Sequence, residues 1–378
     1  MFIKYKASDY LNIFKHTSLG ISLKLWIKIL KRHRYNIGPP FIPKAIFITF
    51  TALINWPFQF FEKALYDRKI RETRVRGPIF ILGHPRSGTT FLHYLLSGDP
   101  NLAFCTTADA LTPHIMLTTG NFMEGILDKF MPNTRPQDNV KAGAKMPKEE
   151  EFAMANVSEH SFMHGITFPN DLPSVFKTSV TFEEDYETSS TKWKKDFHYL
   201  IQKLTLKNEG KRLVLKSPAN TARLKELNEL YPDAVFIHIH RNPYEVYQST
   251  EKLYRSVIPL LSLHKYKTIS MKSFIQDSYV WMLTKFLTDK HNTPSDRIYE
   301  LGYAEFIKAP EKFLMEIYSK LGLGSFENIA SSIRAELKEF DNYKVNKHVE
   351  IAPEEKEQIN IKWGFFFDEY GYEMEEII

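Results

Sequence analysis

Cysteine is nearly absent: Cys105 stands alone among 378 residues. No intrachain disulfide can form, which suits a reducing compartment, and a zinc centre built on cysteines is excluded. The opening stretch, MFIKYKASDYLNIFKH, lacks the uninterrupted apolar core and small-residue cleavage site of a secretory signal. A cytoplasmic location is the expectation. Internal repeats and low-complexity tracts are missing as well. Neither sign of charge is in large excess, since 50 Lys and Arg face 45 Asp and Glu for a net +5. That balance argues against a nucleic-acid partner and leaves anionic ligands or an acidic membrane surface compatible.

What is present is a globular composition, 43% hydrophobic and 25% charged, long enough for one large domain or two small ones. The chain is organised around GPIFILGHPRSGTTFLHYLLSGDP, Gly77 to Pro100. Ile79 to Leu82 show no polar alternation, as in a strand covered on both faces of a parallel sheet. Gly83, Pro85 and Gly88 bend the chain, and Phe91, Leu92, Leu95 and Leu96 recur at helical spacing, so a helix begins near Gly88. A glycine-bearing loop that opens into a helix aims unpaired amides and the positive end of the helix dipole at one point, where an anion belongs. Gly83 and Gly88 have the spacing of the ATP- and GTP-binding loop, but Thr89 stands where its lysine should be. Magnesium-dependent nucleotide hydrolysis is thereby disfavoured, while Arg86 supplies a fixed planar cation.

Two further strand-to-helix units follow. Arg212 to Leu215 ends in Lys216, before a helix over Ala219 to Leu230. Ala234 to His240 is followed by Arg241 and a helix starting near Pro243, on which Ser249 lies about two turns in and can face the same anion as Arg241. Side chains leaving the carboxyl edges of parallel strands point into the crevice where ligands of open α/β sheets sit, which places Lys216 near Arg86.

PRSGTT, Pro85 to Thr90, resembles the 5'-phosphosulfate loop of sulfotransferases that use 3'-phosphoadenosine-5'-phosphosulfate (PAPS), and FIHIHRNPYEVYQST resembles their 3'-phosphate motif. The likeness runs from about Gly38 to Tyr372, through LVLKSPANTARL and IYELGYAEFIKAP, and is nearest a bacterial-type branch. It implies a three-layer α/β sandwich with a central parallel sheet in the P-loop NTPase-like sulfotransferase fold. It also implies that Arg86, Ser87, Gly88, Thr89 and Thr90 hold the 5'-phosphosulfate, that Arg241 and Ser249 hold the 3'-phosphate, and that Phe91 and Tyr303 contact adenine. Lys216 resembles the lysine that protein-tyrosine sulfotransferases bring to the sulfuryl group. The implied chemistry is in-line transfer of a sulfuryl group from PAPS to an acceptor oxygen or amine, leaving adenosine 3',5'-bisphosphate, with no metal requirement because Arg86 and Lys216 offset the developing charge.

Two family features are missing. Where some relatives place a glutamate after the loop helix, this chain reads Thr106, Thr107 and Ala108. The glycine-rich C-terminal loop that clamps the 3'-phosphate in animal cytosolic enzymes is also absent, with Lys344 or Lys347 as substitutes. The general base therefore has to be sought in the lid, about residues 102–190, whose Phe- and Met-rich runs favour an apolar alcohol, lipid or phenol over a polyanionic glycan among small-molecule, lipid or glycan acceptors. Within MPKEEEFAM, Glu149 is preferred, then Glu150, with Glu151, His160 and His164 as competitors. Acidic residues also favour the first turn of a helix through its dipole alone.

The domain reading is a helical N-terminal extension over 1–76 and a sulfotransferase domain over 77–378. In the extension, Leu23, Trp26, Ile27 and Leu30 lie opposite Lys24, Lys28 and Lys31, a pattern suited to anionic lipid. Ala45 to Phe61 is aromatic-rich but broken by Thr49, Thr51, Asn55 and Pro57, and falls short of a clean spanning segment. Either both helices pack on the globular domain, or residues 20–61 touch the inner face of the membrane peripherally. Trp363, Phe365, Phe366 and Phe367 read as core. Outside sulfuryl transfer, the sequence also admits a P-loop small-molecule kinase, or a non-catalytic, membrane-associated nucleotide-binding protein.

Overall fold

Short apolar runs that bury both faces form the sheet. The computed structural model describes residues 3–13, 16–130, 142–267, 271–340 and 351–376. Its strands are β1 (Ile79–Leu82), β2 (Leu102–Ala103), β3 (Arg212–Lys216), β4 (Val235–His240) and β5 (Ile298–Gly302). They form one five-stranded sheet in the order β2-β3-β1-β4-β5, and every pairing is parallel. The register sets Ile81 of β1 beside Lys216 of β3, and Leu82 beside His238 of β4, so β1 and β3 end within one residue of each other and β4 runs two residues farther.

Alternate residues of β1 serve opposite layers, as the two-residue period of a strand requires. Ile79 and Ile81 pack with Leu92, Leu95, Phe306 and Ile317 on one face. Phe80 and Leu82 pack with Trp193, Phe197, Leu200 and Phe286 on the other. The result is a three-layer α/β sandwich around a central parallel sheet, the architecture expected from the sequence. A third cluster joins the helices Pro243–Leu261, Met271–Lys290 and Pro353–Tyr370, with Trp363 stacked on Tyr279 at 3.7 Å. Trp363, Phe366 and Phe367 are core, as expected, and Phe365 is partly buried against them.

β1, β3 and β4 lie within one residue of their expected bounds. β2 was not foreseen, since two residues carry no period. The segment expected as one helix over Ala219 to Leu230 is a 3-10 turn, Pro218–Arg223, followed by a short α-helix, Leu224–Leu230. The stretch expected at Ala45 to Phe61 is one 31-residue helix, Ile42–Glu72, that runs through Pro57. With the preceding turn it is long and apolar enough to cross a membrane by length and composition, a correction to the sequence reading. Lys344 and Lys347 lie outside the described residues.

The N-terminal segment has its own apolar cluster, in which Trp26, Ile29, Phe41 and Ile48 meet Phe168 and Leu263 of the main body. Buried charges fasten the long helix at two points. Lys44 donates to the carbonyl of Leu260 at 2.7 Å. Glu62 is ion-paired with Lys203 and accepts from the amides of Leu117 (2.9 Å) and Thr118 (2.7 Å) and from the Thr118 hydroxyl (2.8 Å).

Candidate active site

The loop after β1 has left-handed backbone at Arg86 (φ 74°) and Gly88 (φ 97°). Glycine is required at 88 for space as well as for φ, because a Cβ there would come within 2.2 Å of the Tyr303 ring. The amide of Gly83 donates to the Thr221 hydroxyl at 2.8 Å, which ties the start of the loop to the turn after β3. Helix Thr89–Ser97 then starts at Gly88, with Ser87 and Thr89 buried. Its first amides and dipole face the crevice at the carboxyl edge of the sheet.

The structure brings the two expected anion cradles into direct contact. Arg86 Nε donates to Ser249 Oγ at 2.8 Å, and Arg241 Nη1 donates to the Arg86 carbonyl at 3.2 Å. The Arg241 guanidinium lies over the Tyr303 ring, 4.5 Å from its centroid, and is held from behind by Glu245 (Nε to Oε2, 2.6 Å). Phe91 packs against Phe306 and Phe340, with centroids 5.4 and 4.9 Å away, beside this group.

Lys216 ends β3 almost fully buried. Its ammonium reaches Thr90 Oγ1 at 3.3 Å and is ion-paired with Glu149. Glu149 is the N-cap residue of helix Glu150–Val157, so the three consecutive carboxylates point in different directions. Glu149 enters the crevice. Glu150 is not part of the crevice wall: it accepts from the Lys216 amide at 3.1 Å and from Asn220 Nδ2 at 2.6 Å, and burial pushes its carboxyl up to about 7. Glu151 pairs with Arg223 and accepts from the Phe162 amide at 2.7 Å.

These groups line one cavity of about 410 Å³, within the range of small-molecule sites. One end is polar, with His84, Arg86, Thr89, Thr90, Glu149, Lys216 and Arg241. The other is walled by Phe152, Phe162, Met163, Ile166, Phe176, Val180, Leu253, Tyr254, Val257 and Met282. The candidate bases His160 and His164 are not part of the wall. Their ring nitrogens meet the carbonyls of Thr178 and Ser158, and burial lowers both to about 4. Two other histidines do line it. Burial holds His84 at about 4, and burial with the Lys216 charge holds His93 at about 3, so both are neutral imidazoles. His93 lies four residues after Thr89 on the loop helix and was legible in principle from that spacing.

A model of the sulfotransferase family matches residues 78–328, which contain the loop, Lys216, Arg241, Ser249 and Tyr303. The chain belongs to the sulfotransferase family. This sulfotransferase is 30% identical over 356 residues to the omega-hydroxy-beta-dihydromenaquinone-9 sulfotransferase Stf3 of Mycobacterium bovis, covering 94% of this chain and 91% of that one, and the Mycobacterium tuberculosis protein of that name matches equally. In fold it resembles the crystal structures of sulfotransferase STF9 from Mycobacterium avium (TM-score 0.63, 18% identity, 83% of this chain and 82% of that one) and STF1 from M. tuberculosis (TM-score 0.62, 18% identity, 89% and 91%). The three-layer parallel architecture of the sulfotransferase is therefore that of its fold relatives.

Proposed function

We propose that this sulfotransferase moves the sulfuryl group of PAPS to a hydroxyl group on an apolar, lipid-like acceptor. The observation that carries the reading is the two-ended cavity, in which a cluster of anion-binding groups gives way to a wall of aromatic and aliphatic side chains. The acceptor named for the 30% identical relatives, an omega-hydroxylated menaquinone, has the same division into one hydroxyl and a long apolar body.

The residues present fit the donor. The loop has glycine where a side chain would collide with Tyr303, so its backbone can close on an anion, and Arg86, Arg241 and Ser249 cluster within hydrogen-bonding reach of one another. When bound, PAPS supplies the activated sulfuryl group. Arg86, Thr89, Thr90 and the first amides of the loop helix would hold its 5' end, and Arg241 and Ser249 its 3'-phosphate. Lys216, desolvated and therefore strongly felt, would offset negative charge at the 5' end. Glu149 would take the acceptor proton.

Radiolabelled PAPS offered with linear alcohols, an omega-hydroxylated prenyl quinone, a phenol and a sulfate-accepting glycan tests this directly. Transfer is expected to the alcohols and the quinone, with kcat/KM rising with chain length and unaffected by a chelator. Lys216→Ala and Glu149→Gln should each lower kcat by about 100-fold or more while leaving adenosine 3',5'-bisphosphate bound. Preference for the glycan, or full activity in both variants, overturns the proposal.

A further inference from the structure

The long N-terminal helix is built inside out. Between residues 42 and 61 every exposed side chain is apolar, among them Ile46, Phe50, Leu53, Trp56, Phe60 and Phe61. The polar residues of the same stretch, Lys44, Thr49, Thr51, Asn55 and Gln59, are buried or partly covered. They turn toward the protein, where Thr49 accepts from the Trp26 indole at 2.9 Å and Lys44 donates to the Leu260 carbonyl. A helix facing water has the opposite arrangement. The exposed face from Ile42 to Leu65 forms a continuous apolar ridge about 35 Å long, and a ridge of this size on a monomer marks an interaction surface.

Charge identifies what covers it. Residues 1–76 carry 15 Lys and Arg against 4 Asp and Glu, a net +11, whereas residues 77–378 carry 35 against 41, a net −6. Beyond Phe61 the helix also exposes Lys63, Arg68, Lys69 and Arg71, the two arginines ion-paired along the helix with Glu72 and Asp67. Apolar bulk, aromatic residues and a basic flank together match an anionic bilayer surface. Buried attachments fix the orientation. The Glu62 pair with Lys203 and the Lys44 contacts hold the opposite face to the main body, and a helix crossing the bilayer would have to drag both charges into lipid. We infer that the Ile42–Leu65 ridge seats the protein on an anionic membrane, with the helix lying in the interfacial plane and not across it.

Flotation of the purified full-length chain with vesicles tests the inference without reference to turnover. The protein should rise with phosphatidylcholine vesicles containing phosphatidylglycerol, rise less with phosphatidylcholine alone, and be released by salt and by alkaline carbonate. Phe60→Glu and Trp56→Glu, both at exposed positions, should bind about tenfold less or weaker with an unchanged melting temperature. Three results overturn the proposal: wild-type protein that stays at the bottom with both vesicle types, protein that resists carbonate extraction and so spans, or a dimer in sedimentation equilibrium that Phe60→Glu splits while vesicle binding is absent.

Discussion

Three neighbouring carboxylates, Glu149, Glu150 and Glu151, meet three different partners because successive helical positions point about 100° apart. Glu149 and Glu151 both touch the cavity wall, Glu149 paired with Lys216 and Glu151 held by Arg223, whereas Glu150 lies behind it. Glu150 is the one whose environment makes a pH statement. Burial raises its carboxyl from 4.5 to about 7, so between those values the native state keeps a proton that the unfolded chain has released. Stability therefore falls as pH rises through that window and stays lower above it, by about 3 kcal/mol for the single group. Urea unfolding of Glu150→Gln across the same pH range should lack that slope, and a variant that tracked the wild type would assign the carboxyl an ordinary value. A resemblance at the level of motifs could place all three residues near the site but could not separate them, because what distinguishes them is the direction of each side chain at a helix start.

At the scale of elements, Arg223 does the work of a central fastener. It pairs with Glu151 on one helix, donates from Nε at 3.1 Å to the Ser179 carbonyl that closes another, and lies 4.7 Å from the Trp193 ring centroid on a third. It is fully buried. Arg223→Ala leaves the Glu151 charge without its partner and is expected to cost about 3–5 kcal/mol in urea unfolding. It should also lower turnover, because Glu149 sits on the same helix start. The strands that frame this region were legible in the sequence, since a buried parallel strand announces itself as an unbroken apolar run, as in Ile79–Leu82 and Val235–His240. The Arg223 to Glu151 pair was not legible, because it joins distant segments and neither residue has a local signal. The outward apolar ridge was hidden for a different reason: helix Ile42–Glu72 turns the polar residues of its first half toward the protein, so its pattern pointed the wrong way.

For the whole molecule, the same helix ties the N-terminal segment to the main body through Glu62 and Lys44. Lys203→Met leaves Glu62 buried without its cation, and the expected loss is about 3–5 kcal/mol, seen as a lower melting temperature with early proteolysis between residues 20 and 76. The double variant Glu62→Leu/Lys203→Met should recover much of that loss, since neither charge is then stranded. A recovery that failed would show that the helix is held chiefly by its apolar contacts. The loop after β1 and the helix after β4 are joined just as closely, 163 residues apart in the chain, through Arg86 and Ser249. A hydroxyl that accepts from a guanidinium can still donate its own hydrogen. Ser249 thus keeps a hydrogen to give while it accepts from Arg86, and any shift of the loop is felt at once by the helix that carries the hydroxyl.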